Sequence, residues 1–244
     1  MSKCNPETFL YSKKKRALGV NYISEGQFGK VSRGCTPKKC FAIKQSSESM
    51  KHEFSMMKLA YKWDPQHIPK PYEFVTCPNG SILYSQYIPL KSLAENPKKL
   101  TRRVLFTILQ IIYTLNKHGI HHNDIHHGNI LVGKRVYITD FGHATTRMRK
   151  TSVGVNLATT YASAHPSDMR HDYHGFLNLV YNTDSTPPTM RLFIESLFPK
   201  KYLKKNSPVV FNWRLRPNVS HEQVPLLKNV LKSLYFNQVT KYQK

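Results

Sequence analysis

The chain has 244 residues, 40% of them hydrophobic, which is enough for one sizeable core or two small ones. Thirty-seven Lys and Arg against fourteen Asp and Glu leave a formal net charge of +23. That excess predicts attraction to polyanions: nucleic acid, an anionic membrane or an acidic protein. The N-terminus MSKCNPETFL lacks the apolar centre of a secretory signal, and no run of about 18 apolar residues exists, so neither export nor a membrane-spanning helix is expected. The four cysteines (Cys4, Cys35, Cys40, Cys77) form no CxxC pair. Cys35 and Cys40 are close enough to clip a hairpin, but nothing points to an oxidising compartment, so reduced thiols and an intracellular location are expected.

In chain order, Lys13–Arg16 (KKKR) is a basic run, read either as a solvated segment or as an import or polyanion patch. Residues 20–90 then alternate β-like runs with turns. VNYISEG, KVSRG, CFAIKQ, YEFVT and SILYSQYI are rich in Val, Ile, Tyr and Phe, and CPNG (Cys77–Gly80) separates the last two. A five-stranded antiparallel sheet is predicted, with one helix over about residues 47–62. Beyond Pro97 the pattern turns helical. Leu105, Ile108, Leu109, Ile112 and Leu115 recur at helical spacing, and Gly119 ends the run. NILV and RVYITD read as short strands, and DYHGFLNLVYN as a buried helix. The expected class is α+β, with a β-rich unit over 1–88 and a mainly helical unit over 89–244.

Four motifs carry chemistry. In EGQFGKV (Glu25–Val31), Gly26 and Gly29 allow a hairpin to lie close over a ligand with its backbone N–H groups facing phosphate. Lys44 ends an apolar strand (FAIK) fifteen residues after Gly29, and its inward amine needs an anion. Glu53, nine residues later, shares a helix face with Met56, Met57 and Ala60 and could pair with Lys44. Finally, HHNDIHHGNIL (His121–Leu131) sets Asp124 and Asn129 five apart, and YITDFGHA places Asp140 at a strand end. A carboxylate near an acceptor hydroxyl can act as base, while Asp140 and Asn129 offer hard oxygen ligands for a divalent cation. The four histidines of that loop also admit a zinc site.

In this order and spacing the motifs resemble those of the eukaryotic protein kinase family, over about residues 20–220. The resemblance implies a bilobal kinase fold that uses ATP with Mg2+, or Mn2+ as an alternative. Gly26, Gln27, Phe28 and Gly29 would cover the phosphates. Lys44 would hold them, oriented by Glu53. Val31, Ala42 and Leu131 would sandwich the adenine, and Gln86, Tyr87 and Ile88 would form the hinge beside it. Asp124 would accept the substrate proton, Asn129 and Asp140 would bind the metal, and His126 would stand where Ser/Thr kinases carry a phosphate-contacting lysine. Ser85, at the rear of the adenine site, implies an open back pocket. His122 would be a packing residue.

The departures matter as much. His122-Asn123-Asp124 replaces His-Arg-Asp, so no arginine awaits a phosphorylated loop, and activity without such phosphorylation is expected. The short Lys44–Glu53 spacing implies a clipped helix, which could need a partner surface, so a homodimer is expected. Pro166 lacks the usual following glutamate. Leu157–Tyr181 instead resembles the segment of casein-kinase-type and vaccinia-related kinases, with Asp172 tying down the catalytic loop and Thr159 or Thr160 bonding Asp124. Arg216-Pro217 matches the Arg-Pro near the end of the family's fold. Compactness, basic character and Asn123 resemble the small kinases of large DNA viruses, baculoviruses among them, and imply a viral Ser/Thr kinase of host cytoplasm or nucleus. Two other readings are a small-molecule kinase of the aminoglycoside or choline type, whose catalytic loop often carries a histidine two after the aspartate, and a polyanion-binding pseudokinase whose nucleic-acid affinity would fall steeply with salt.

Overall fold

The structure is a computed structural model. It describes residues 4–6, 20–26, 29–146, 171–199, 203, 224–237 and 239. The basic run Lys13–Arg16, Gln27, Phe28, Thr159, Thr160, Pro166 and Arg216-Pro217 lie outside the described residues. The class is α+β, in two compact units: Met1–Pro89 with Asp140–Gly142, and Leu90–Thr139 with His143–Lys244.

The first unit is a five-stranded antiparallel sheet, β1 (Val20–Gly26), β2 (Gly29–Cys35), β3 (Cys40–Ser46), β4 (Pro71–Cys77) and β5 (Gly80–Gln86), in the order β1-β2-β3-β5-β4. Period-2 alternation sorts its side chains. Phe41, Ile43, Val75, Ile82 and Tyr84 form a buried cluster on one face. The register Val31↔Lys44↔Leu83↔Phe74 and Arg33↔Ala42↔Ser85 sets those residues on the other. Helix α1 (Lys51–Trp63) covers this second face, with Phe54 stacked on Phe74 at 6.0 Å.

Helix α1 starts four residues later than its sequence pattern suggests. Ser81 Oγ, on β5, accepts from Met50 N (2.9 Å) and donates to Glu48 O (2.6 Å), which holds the preceding residues as a non-helical loop. Its buried face is Glu53, Met56, Met57 and Ala60. That face turns Glu53 to Lys44 on β3.

Two glycines are required by sterics. At Gly29 (φ +138°) a Cβ would collide with the Gln45 carbonyl, and at Gly80 (φ +129°) with that of Ser46.

The cysteines correct an expectation. All four pair, Cys35 with Cys40 and Cys4 with Cys77, at Cα separations of 4.0 and 5.6 Å, where reduced thiols were expected. The β2–β3 register makes Cys35 and Cys40 direct cross-strand partners. Cys4 meets the end of β4 from 73 residues away, a pairing that no local pattern announces.

In the second unit the long helix α2 (Arg102–Lys117) is capped by Thr101, whose hydroxyl accepts from Val104 N at 3.2 Å, and it ends at Gly119 with φ +73°. Phe106 and Ile111 are buried along with the expected stripe, so α2 is enclosed on more than one side. Short strands β6 (Ile120–His121), β7 (Ile130–Val132), β8 (Val136–Ile138) and β9 (Thr145–Thr146) pair as β6-β9 and β7-β8. Helices α3 (His171–Tyr181), α4 (Pro188–Leu197) and α5 (Leu227–Leu231) complete the described part. Phe106, Phe193, Tyr235 and Phe236 form an aromatic cluster. No helix among the described residues is long and apolar enough to cross a membrane.

Candidate active site

Lys44 leaves β3 on the α1 side of the sheet. Its ammonium lies 3.0 and 2.9 Å from the Glu53 carboxylate oxygens and 3.0 Å from Asp140 Oδ1. The short β3–α1 connection therefore still delivers Glu53 to the strand lysine. Burial alone would pull Lys44 down, but Glu53 and Asp140 outweigh it and hold the ammonium above its ordinary value. Burial pushes the Glu53 carboxyl up to about 7, Lys44 opposing and Asp140 adding to the rise. With two carboxylates sharing one ammonium, the more buried carboxylate is the one that resists ionisation. Asp140 adopts φ +64°, a conformation that Asp and Asn tolerate better than most residues.

On the same face, Val31 lies opposite Lys44, and Ala42 opposite Ser85, which is 8% exposed. Gly26 pairs with Gly29 where β1 meets β2. Gln86 N donates to Lys70 O at 2.8 Å as β5 ends, and Tyr87 and Ile88 leave the sheet.

The histidine-rich loop of the second unit is built on its backbone. Buried Asp172, in the first turn of α3, accepts from His122 N (2.8 Å) and Asn123 N (2.7 Å). His122 is fully buried; its Nε2 meets Thr139 O at 3.0 Å, and its Nδ1 accepts from Asp124 N at 3.3 Å. The tautomer with hydrogen on Nε2 satisfies both contacts. Thr139, the residue before Asp140, is pinned a second time by bonds from its N (2.9 Å) and Oγ1 (3.2 Å) to Asn129 O.

Asn129 Nδ2 donates to Asp124 O (3.0 Å) and Asp124 Oδ2 (3.1 Å). Both amide hydrogens are thereby used, and the remaining polar atom of Asn129 is its carbonyl Oδ1, a hard donor. His126 folds back so that Nδ1 accepts from Gly128 N at 3.1 Å and Nε2 stands 3.6 Å from Asp124 Oδ2. A Cβ at Gly128 would lie 2.8 Å from that ring. Leu131 lies on β7, bridged to Ser92. Sequence reasoning missed the second function of Asn123, whose side chain donates to His143 O and Thr145 Oγ1; its only signal was an amide standing where arginine is usual.

Among the described residues no three His, Cys, Asp or Glu side chains converge as a metal centre. His127 is instead a packing residue, edge-on to Phe176 at 6.0 Å, and burial together with His126 pulls its pKa down to about 4. A histidine lowered this way stays neutral when folded but gains a proton when unfolded. Its contribution is therefore complete above about 6.5 and is lost as pH falls towards 4. His127→Phe is expected to flatten that acid limb by about 1–2 kcal/mol, after discounting for partial exposure. Urea melts of both proteins from pH 7 to 4.5 check this; parallel stability curves would refute it.

A strand lysine bound to a helix glutamate, an Asp-x4-Asn loop and an Asp-Phe-Gly turn make this a chain of the protein kinase class. The protein kinase domain model matches residues 19–166, well over half of the chain, and the chain belongs to that family. It is also similar to a fission yeast (Schizosaccharomyces pombe) protein, negative regulator of sexual conjugation and meiosis, at 32% identity over 81 residues. That stretch is 32% of this chain and 17% of the yeast protein, so the likeness spans a small part of the latter. A kinase domain uses ATP and a divalent metal. The donors present fit such a metal: the carboxylate of Asp140 and the amide oxygen of Asn129 are both hard oxygens.

Proposed function

We propose that the chain is an ATP- and Mg2+-dependent Ser/Thr protein kinase. The observation that carries the reading is the Lys44 ammonium held by Glu53 and Asp140 at 2.9–3.0 Å. A partly buried cation so placed can meet phosphate oxygens, and Glu53 keeps it oriented before nucleotide arrives.

The acceptor hydroxyl attacks the γ-phosphorus, the bond to the β-phosphate oxygen breaks, and ADP leaves. Asp124 receives the hydroxyl proton. Asn129 holds Oδ2 of Asp124, which leaves Oδ1 to take the acceptor's proton. Bound by Asp140 and Asn129, Mg2+ would supply neutralising charge at the β- and γ-phosphate oxygens. His126 donates or accepts at the edge of the transferring phosphoryl group, beside Asp124. Gly26, Gly29, Val31, Ala42, Ser85, Gln86, Tyr87, Ile88 and Leu131 are assigned to the nucleotide.

The choice of Ser/Thr over Tyr rests on the sequence resemblance, as does the viral source, which draws on Asn123 and the +23 charge. That charge also supports contact with a polyanion alongside catalysis.

The test is Mg-ATP phosphotransfer to casein, histone, protamine and myelin basic protein by wild type and Asp124→Asn, with phosphoamino-acid analysis. Transfer to Ser or Thr that falls at least about 100-fold in the variant is expected. ATP-Mg stabilisation without protein transfer would favour a small-molecule acceptor, which the placement of His126 near Asp124 also suits. No nucleotide binding at all would leave a pseudokinase scaffold.

A further inference from the structure

Asn123 has two sets of partners, and the reading of the site as a kinase uses only one. Its backbone N–H is fixed by Asp172 at 2.7 Å. Its side-chain Nδ2 donates to His143 O at 2.9 Å and to Thr145 Oγ1 at 3.0 Å, twenty and twenty-two residues further along the chain. Those acceptors stand just after Asp140-Phe141-Gly142.

We infer that Asn123 is a built-in latch, a positioning residue that fixes the strand leaving Asp140-Phe141-Gly142 and so replaces an added phosphate in setting that segment. The inference rests on the protein kinase reading for its functional consequence, but not for its structural part.

Three observations support it. First, the residue holds φ +63°. Asparagine is among the few non-glycine residues that occupy this region at low cost, and the Asp172 bond removes what freedom remains. The side chain is therefore aimed before its partners arrive.

Second, the strand it holds is weak by itself. Strands β6 and β9 share two residue pairs, Ile120↔Thr146 and His121↔Thr145. A ladder that short gains little without outside support. Two side-chain bonds beside it are a large addition.

Third, the contact is electrically complete. Donor, carbonyl and hydroxyl are all neutral, and both amide hydrogens are used. A cation at this position would carry a charge that these neutral acceptors do not balance and that an added phosphate could. A neutral amide imposes no such condition.

The test uses the full chain after treatment with a broad-specificity protein phosphatase, as wild type, Asn123→Gly, Asn123→Asp and Thr145→Val. Glycine keeps the backbone conformation and removes the side chain. Aspartate keeps the shape and removes the donor. Valine removes one acceptor of the two and guards against a misfolded Asn123 variant. Amide hydrogen exchange is read at residues 143–146, and phosphotransfer is split into kcat and KM for ATP.

Phosphatase-treated wild type is expected to keep its rate within about twofold. The Asn123 variants should exchange about tenfold faster at 143–146 and lose about tenfold in kcat with KM little changed, the size expected for one to two net hydrogen bonds. Thr145→Val should fall between. Unchanged exchange in both Asn123 variants, or a wild type silenced by phosphatase, would overturn the latch. If wild type phosphorylates nothing, with or without phosphatase, the kinase reading fails instead, and the exchange data still decide whether the latch exists.

Discussion

Lys44→Met is expected to lower kcat/KM for phosphotransfer by about a thousandfold or more, the scale of losing a preorganised charge aimed at developing charge. The same change should cost stability in a pH-dependent way, and that separates it from a simple loss of a ligand contact. Lys44 is the ammonium that two carboxylates share. Without it Glu53, 7% exposed, faces Asp140 with no cation between them. A carboxyl whose folded pKa is raised binds its proton more tightly in the native state. Its stability contribution is therefore fully present below about 4.5 and is lost as pH rises through the folded value, already about 7 with Lys44 in place. Removing Lys44 raises that value further. The variant should be destabilised relative to wild type at pH 8 by about 1–1.5 kcal/mol, since one proton is worth about 1.4 kcal/mol per pH unit above the wild-type value. Most of the deficit should vanish by pH 6, while activity stays lost at every pH. Denaturant melts from pH 6 to 8, run beside the kinase assay, measure both. A pH-independent deficit would show that Glu53 is not the group responsible.

The parts of the molecule legible in the sequence are those written in local pattern. Alternating Val, Ile, Tyr and Phe between Gly and Pro punctuation marked the five strands, and the Leu and Ile stripe ending at Gly119 marked α2. The Lys44–Glu53 pair was readable because a strand end and a helix face each present one residue at a definite phase. What was not legible depends on contacts distant in sequence. The start of α1 is set by Ser81, 31 residues from Met50. Cys4 reaches Cys77 across 73 residues, and neither sits in a spacing motif. Phe106 and Ile111 stand outside the Leu and Ile stripe of α2, yet both are buried. Asn123 could be flagged from sequence as a departure, but its second set of partners could not, because an amide's acceptors carry no sequence signature. Site residues whose place follows from strand register were easier to read than those whose place follows from loop backbone.

Asp172 is such a loop-setting residue, and its removal should have the larger structural effect. Its carboxylate is 4% exposed and accepts from two consecutive backbone N–H groups, His122 and Asn123. Those bonds are charge-assisted. Asp172→Ala removes the acceptor from one buried and one partly buried donor and leaves a small void. A loss of about 3 kcal/mol is expected, from two bonds to a charged group at about 1.5–3 kcal/mol each, partly offset by the desolvation cost the carboxylate no longer bears. Asp172→Asn should recover part of this, since its carbonyl can serve one N–H while its NH2 opposes the other. The consequence for catalysis follows from connectivity. His122 bonds Thr139 O and receives Asp124 N, so a loosened 122–123 backbone displaces Asp124 itself. A base misplaced by about 1 Å costs on the order of 100-fold. Melting experiments and initial rates on the three proteins check the order wild type, Asn, Ala in both stability and kcat. An Asp172→Asn protein as stable as wild type but as inactive as the alanine variant would mean that the carboxylate's charge, and not its hold on the loop, is what the site requires.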